Sequence, residues 1–153
     1  MELTTTKELY RSRAHAKFFL CYHVVFATKY RKVLLKHGTT VQREVMHLFD
    51  AIATKYNDFE ILAQGYDSDH VHLLIEATSP TVSPHTIVHR LKSQSTYHLW
   101  QNKEVAGILA RTYKKRVFWS SGYFVTTTGE VDVDTVRAYI YSQGVKRKRR
   151  RRK

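Results

Sequence analysis

The stretch "SDHVHLLIEA", residues 68–77, constrains the fold more than any other part of the chain. One apolar residue separates its two histidines, and alternate residues of a β-strand point to the same side. One side of this predicted strand carries Val71, Leu73 and Ile75, and the other carries His70, His72, Leu74 and Glu76. Two imidazoles one residue apart on a strand are a solvent-exposed pair, part of a metal site, or an acid–base pair. The spacing leaves all three interpretations open.

Other segments supply the elements that such a strand needs as partners. Further strands are predicted over 17–29, over 59–67 as the hairpin partner of the histidine strand, and over 116–129 with an interruption at 120–122. Helical spacing predicts helices over 40–56, capped by Thr39 or Thr40, and from Ser83-Pro84 onward. A short helix is one interpretation of 102–115. A last helix, capped by Asp132 or Asp134, runs to Gln143 and stops at Gly144.

This order of elements, β-α-β-β-α-(α)-β-α, predicts the fold class. It matches an α+β, ferredoxin-like or RRM-like plan, with an antiparallel sheet and helices packed mainly on one face. At 153 residues the chain suits one domain, which we place at 1–145. The remaining residues, 146–153, form a wholly basic tail, and a block of like charges is usually disordered.

Charge indicates the kind of partner. The chain has 26 Lys and Arg against 13 Asp and Glu, a net charge of +13, and it stays basic without its eight-residue tail. Such a surface favours a polyanion, most commonly nucleic acid. The single Cys21 excludes a disulfide framework and zinc-finger spacing. No apolar run is long enough for a membrane span and no export signal is evident, so we expect a soluble, cytoplasmic protein without a membrane partner.

The last predicted helix carries a second group of candidate residues. Val136, Tyr139, Ile140 and Gln143 are spaced so that they share one helical face. The two aliphatic residues can anchor this face on the sheet, which would present Tyr139 and Gln143 together beside it. Tyr141 points away from them and is a natural negative control.

Together, these side chains suggest a chemistry. An amide oxygen beside two imidazoles makes an open, three-ligand site for Mg²⁺ or Mn²⁺. A metal there could polarise a phosphodiester, which the phenol could then attack. Each residue also has an ordinary interpretation. The histidines could be a hydrogen-bonded surface pair, the tyrosine a half-buried packing residue and the glutamine a solvated one, and spacing alone does not decide.

Beyond these residues, the chain resembles a known family, the single-tyrosine HUH transposases of the TnpA type. The similarity extends from about Lys17 to Gln143. It is carried by "YHVVFATKYRKVLL" in the opening strand, "DHVHLLIE" in the metal-binding strand, "LKSQSTYHL" in the second helix, "FWSSGYFVTTTG" in the late strand and "YIYSQ" in the tyrosine helix. Two features depart from the family's pattern, namely Ser68 where proline is frequent and the basic tail.

By this resemblance, His70, His72 and Gln143 are implied to be metal ligands for Mg²⁺ or Mn²⁺, and Tyr139 the nucleophile. The implied function is single-strand DNA transposition by a homodimer. It would nick and join hairpin-bearing transposon ends through a 5′-phosphotyrosine intermediate.

Basic and aromatic side chains supply the candidate DNA contacts, through phosphate attraction and base stacking. They are Lys29, Tyr30, Arg31, Lys32, Lys92 and Trp119, each of which could instead be a solvated charge or a core aromatic. Three other functions stay open: a domesticated relative that cuts hairpins without moving itself, a non-catalytic nucleic-acid-binding module, and a metal phosphodiesterase that uses water.

Overall fold

The computed structural model describes residues 10–13, 15–129 and 132–144. This part of the chain contains six strands and four helices. The strands are β1 Arg11–Arg13, β2 Ala16–Phe18, β3 Leu20–Ala27, β4 Phe59–Asp67, β5 His70–Ala77 and β6 Phe124–Thr127. The helices are α1 Thr40–Tyr56, α2 Pro84–Gln101, α3 Lys103–Thr112 and α4 Val133–Tyr141. The predicted basic tail lies outside the described residues.

Four strands form one antiparallel sheet in the order β4-β5-β3-β6, and β1 and β2 form a separate hairpin. The histidine strand β5 is therefore an inner strand, paired on both sides. Its register places His72 between Val25 of β3 and Gly65 of β4. The predicted α+β architecture with an antiparallel sheet is confirmed.

Local sequence signals explain where α1 and α2 begin. The Thr39 side chain accepts a hydrogen bond from the main-chain N–H of Gln42 (3.3 Å). The Ser83 side chain accepts one from the main-chain N–H of Thr86 (3.1 Å). Each bond satisfies one of the amide groups that a helix start leaves without an internal partner. Pro84 occupies the first turn, where its missing N–H costs nothing.

The sheet separates two hydrophobic clusters of unequal size. The larger one packs α1, α2 and α3 on the side to which Val71, Leu73 and Ile75 point. The smaller one packs α4 on the opposite side, through Cys21, Ala63, Leu74 and Ile140. Helices therefore cover mainly one face, as predicted, and α4 alone covers part of the histidine face.

Two strand predictions are wrong in their extent. The strand expected over 17–29 is two strands separated at Phe19, and it ends in a turn at Lys29–Arg31. The strand expected over 116–129 is formed only by β6, preceded by an isolated bridge between Thr28 and Trp119. In both places, side-chain hydrogen bonds to main-chain carbonyls hold the chain in turns, and strand propensity does not reveal such bonds.

Two further details differ from the predictions, one in the strands and one in the cap of α4. β1 was not predicted, and Arg11 joins it to the sheet through ion pairs with Glu76 (2.8 Å) and Glu60 (3.0 Å). Asp132 occupies the N-cap position of α4, but its side chain makes no capping hydrogen bond.

Candidate active site

The two histidines of β5 line a groove of about 500 Å³ on the α4 side of the sheet. Tyr139 of α4 and Gln143, which lies in the turn just after α4, line the same groove. The structure thus brings together all four residues that the sequence singled out for catalysis and metal binding. His72 is only 7% exposed, so it forms part of the floor.

His70 is oriented by its neighbour Asp69. A carboxylate oxygen of Asp69 lies 2.8 Å from His70 Nδ1 and accepts a hydrogen bond from it when that nitrogen carries the proton. The other ring nitrogen, Nε2, then has the lone pair. A carboxylate behind an imidazole in this way is the usual support of a metal-binding histidine.

His72 is oriented by His23, which we did not predict as a site residue. His23 Nε2 lies 3.0 Å from His72 Nδ1, and the two rings stack with centroids 5.2 Å apart. When His72 Nδ1 is protonated it donates to His23, and the lone pair of His72 then lies on Nε2. The "YH" pair in β3 was visible in the sequence, but its position beside β5 depends on strand register.

Burial keeps His72 neutral. Desolvation, with smaller contributions from His70 and His23, lowers the pKa of His72 to about 4. Burial also lowers the pKa of His23. A neutral imidazole is the form that binds metal, so at neutral pH no proton competes for the His72 lone pair.

Helix α4 approaches the sheet closely because β4 has a glycine beneath it. A Cβ atom at Gly65 would lie 1.8 Å from the main-chain oxygen of Ile140. Gly65 is also the register neighbour of His72. The absence of a side chain there allows α4 to lie directly beside the histidine pair.

This close packing brings Tyr139 to the histidines within a single chain. Its ring lies edge-on to His72, with centroids 5.7 Å apart, and edge-on to His23 at 6.1 Å. The Tyr139 side chain remains 49% exposed, which leaves it open to a substrate. Tyr141 points elsewhere, as expected, and its hydroxyl donates to the Leu62 carbonyl (3.2 Å).

Gln143 would add an amide oxygen to the two imidazoles, a set of donors for a hard or borderline divalent ion. Its amide nitrogen donates to the Tyr139 carbonyl (3.1 Å), which leaves its amide oxygen as an acceptor. Two imidazole nitrogens and one amide oxygen are ligand types that Mg²⁺ or Mn²⁺ accepts, with open positions for water or phosphate. Over the described residues, no cluster of three or more His, Cys, Asp or Glu offers an alternative metal site.

The six candidate DNA contacts lie in different surroundings. Arg31 lines the groove, 3.8 Å from Asp69. The side chains of Lys29, Tyr30 and Lys32 line a separate cavity. The Lys92 ammonium donates to the carbonyls of Ser120 (2.8 Å) and Gly122 (2.6 Å), which fixes the loop that forms one wall of the groove.

Trp119 is largely buried in the core. It is 7% exposed, packs on Phe26 and Phe49, and donates from its ring nitrogen to Ser95 (2.9 Å). This placement fits the core-aromatic interpretation that the sequence left open.

Comparison with known proteins places the chain in a class of enzymes that cut and transfer DNA strands. Residues 16–143 match the family model described as "Transposase IS200 like". The chain is 32% identical over 133 residues to IS200 transposases of Salmonella typhimurium and Salmonella typhi, covering 87% of this chain and 82% of each relative. The chain therefore belongs to the IS200-like transposase family.

Two solved structures share the fold. A candidate transposase from Deinococcus radiodurans R1 superposes with a TM-score of 0.65 at 28% identity, covering 85% of this chain and 94% of that one. A REP-associated tyrosine transposase bound to a REP hairpin superposes with a TM-score of 0.57 at 16% identity, covering 86% and 72%. Over the described residues, no helix is both long and apolar enough to cross a membrane.

Proposed function

We propose that the protein is a single-strand DNA transposase that nicks and joins hairpin-bearing transposon ends through a phosphotyrosine. One observation carries the proposal. Tyr139 lies beside His72, in the same groove as His70 and Gln143, on the fold of a transposase family. A phenol next to a candidate metal site is the arrangement that covalent phosphoryl transfer needs.

Three side chains would hold the ion in this proposal: His70 and His72 through Nε2, and Gln143 through its amide oxygen. When bound, Mg²⁺ or Mn²⁺ would polarise the scissile phosphodiester as a Lewis acid. Asp69 favours the His70 tautomer that presents Nε2, and His23 does the same for His72 when His72 Nδ1 carries the proton. Arg31, at the edge of the groove, adds positive charge for a substrate phosphate.

The cleavage step forms one bond and breaks one. The Tyr139 oxygen attacks the phosphorus, and the 3′-oxygen of the preceding nucleotide leaves. The phenol loses a proton and the leaving oxygen gains one, so the products are a 5′-phosphotyrosine and a free 3′-hydroxyl. Rejoining is the reverse reaction with a different 3′-hydroxyl. The covalent link retains the phosphodiester energy, so no nucleotide hydrolysis is needed.

Hairpin DNA is the proposed substrate, and two observations support it. The relative whose structure carries a REP hairpin shares the fold, and the chain is strongly basic. We propose a cytoplasmic location for an enzyme that acts on DNA in this way.

A homodimer is proposed as the working form. β6 is an edge strand of the sheet, and all four of its residues are exposed, including the apolar Phe124 and Val125. An edge of this kind is open to pairing with a second chain.

A denaturing gel tests the proposal. Purified protein is mixed with labelled single-stranded hairpin DNA and Mn²⁺ or Mg²⁺, and Tyr139→Phe and Tyr141→Phe are run beside the wild type. We expect a slowly migrating covalent band in the wild type and in Tyr141→Phe. Because Tyr139, unlike Tyr141, lies against the histidines, the band should vanish in Tyr139→Phe, while hairpin binding persists.

The same gel separates the other functions. Cleaved product without a covalent band would indicate a phosphodiesterase that uses water. Binding without cleavage on any hairpin would indicate a non-catalytic module. A covalent band on host repeat hairpins, for a gene without hairpin-forming ends around it, would indicate a domesticated relative.

A further inference from the structure

A second concave site lies outside the catalytic groove. It is a cavity of about 600 Å³ between the turn that follows β3 and the end of α3. Its charged members are all cationic: Lys29, Lys32, Lys114 and Lys115. Within the described part of the chain, no acidic side chain lines this cavity, and none of these lysines forms an ion pair. We call it the lysine cavity.

The turn at the mouth of the lysine cavity has an unusual backbone. Tyr30 and Arg31 have φ angles of 60° and 54°, so two successive residues with side chains adopt the left-handed region. Such strain persists only where the surrounding structure imposes it. Here the Tyr113 hydroxyl donates to the Lys29 carbonyl (2.7 Å), and the Thr28 hydroxyl donates to the Lys32 carbonyl (2.7 Å).

The strained turn distributes its side chains between two sites. Arg31 lines the catalytic groove near Asp69, whereas Tyr30 and its neighbours Lys29 and Lys32 line the lysine cavity. The Tyr30 ring is 74% exposed and has the Lys29 ammonium 5.6 Å from its centroid. The two sites are therefore separated by a single turn of the backbone.

We propose that the lysine cavity binds the single-stranded DNA that flanks the cleavage point. Its lysines contact backbone phosphates, and the Tyr30 ring stacks on an unpaired base. An exposed aromatic ring beside cations is the pattern of single-strand binding, because base faces are available only outside a duplex. The inference deepens the proposed function, since it rests on DNA being the substrate.

Fluorescence anisotropy with labelled dT15 tests the site, using the full-length protein in EDTA over a series of KCl concentrations. The variants are Tyr30→Ala, Tyr30→Phe and the double variant Lys114→Gln/Lys115→Gln. Tyr97→Ala is the matched control for an exposed tyrosine (62% exposed), and Lys17→Gln/Lys103→Gln is the control for two exposed lysines. Tyr30→Gly, which accepts a φ of 60° without strain, replaces Tyr30→Ala if the latter unfolds.

We expect Tyr30→Ala to weaken dT15 binding by roughly 5- to 150-fold, the range for one base–aromatic stack, and Tyr30→Phe to bind as the wild type does. A 15-base-pair duplex should bind Tyr30→Ala and the wild type equally. The double lysine variant should lower the slope of log K against log salt by about 1.4, or about 0.7 for each phosphate that a lysine no longer neutralises. Both controls should leave dT15 binding unchanged.

Unchanged dT15 binding in Tyr30→Ala, or an equal loss on the duplex, would overturn the inference. So would a salt slope that the double variant leaves intact. Because the assay needs neither metal nor Tyr139, it is independent of the cleavage chemistry. If the wild type forms the covalent adduct but Tyr30→Ala binds dT15 as the wild type does, only the proposal for the lysine cavity is contradicted. If Tyr30→Ala binds dT15 more weakly but the wild type forms no adduct, the lysine cavity is supported and the proposed chemistry is contradicted.

Discussion

At the scale of single residues, the candidate site depends on side chains that orient other side chains. The sequence suggested the pair His70 and His72, but the structure shows that each ring has its own hydrogen-bond partner. Such partners decide which nitrogen of an imidazole is available to a ligand. Replacing them should change metal affinity without removing a ligand.

His23 provides the first test of this idea. In His23→Ala, Nδ1 of His72 loses its partner, so we expect Mn²⁺-dependent cleavage to require roughly 10- to 100-fold more metal. His23→Gln, whose amide oxygen can accept the same hydrogen bond, should recover part of the loss. The measurement is the metal concentration at half-maximal adduct formation. If His23→Ala needs no more metal than the wild type does, the hydrogen bond has no orienting role.

Gln143 provides the second test, this time of a proposed ligand. We expect Gln143→Ala to cleave more slowly and to need more metal, because the site loses an oxygen donor. Gln143→Glu keeps an oxygen at that place and should titrate nearer to the wild type. If the metal titration of Gln143→Ala is unchanged, Gln143 does not belong to the ligand set.

At the scale of elements, the position of α4 decides whether the tyrosine reaches the histidines. The helix lies on β4 at Gly65, and the chain after it turns at Gly144, whose φ is 75°. A Cβ at Gly144 would lie 2.1 Å from the Tyr66 carbonyl oxygen. Two glycines thus permit the close packing of the C-terminal end of α4 against β4.

Gly65→Ala should push α4 away from the sheet. Its Cβ would overlap the main chain of Ile140, so we expect the free energy of unfolding to fall by about 1–3 kcal/mol and adduct formation to fall with it. Urea unfolding and the adduct gel measure the two effects. Gly107→Ala, which meets nothing within 4 Å on α3, is the control and should gain about 0.5–1 kcal/mol. Wild-type adduct formation in a folded Gly65→Ala protein would refute this role of Gly65.

At the scale of the whole molecule, the buried His72 couples folding to pH. Its pKa is lowered to about 4 by burial, whereas the ordinary value is 6.5. Below pH 6.5 the unfolded chain therefore binds a proton that the folded protein does not. This contribution to stability is fully present above pH 6.5 and is lost as the pH falls toward 4.

We expect the free energy of unfolding of the metal-free protein, measured with urea, to decrease as the pH is lowered from 7 to 4.5. This one proton contributes a slope of up to about 1.4 kcal/mol per pH unit. His72→Gln removes the titrating group and should flatten that part of the profile, even if it lowers stability at pH 7. Parallel profiles for the two proteins would mean that other groups govern the acid response.

Most local structure was predictable because it depends on local signals. The limits of α1 and β4 and the start of α2 were predicted from periodicity, caps and Pro84. Spacing along α4 likewise placed Tyr139 and Gln143 on one helical side. The late strand was predicted too long, because hydrogen bonds from Lys92, distant in sequence, hold Ser120 and Gly122 in a loop. A loop or short turn was expected after the first strand, but the positive φ angles of Tyr30 and Arg31, which depend on the distant Tyr113, were not.

By itself, the sequence determined the α+β class, the two-faced histidine strand, the basic character and the resemblance to transposases, since periodicity, charge and motif order are properties of the chain. Only the tertiary structure shows that His23 hydrogen-bonds to His72 and that α4 packs against Gly65. It also shows that Trp119 is largely buried and that Tyr30 and Arg31 line different cavities. The physical reason is that strand register and helix docking set these interactions, and both depend on the packing of residues far apart in the chain.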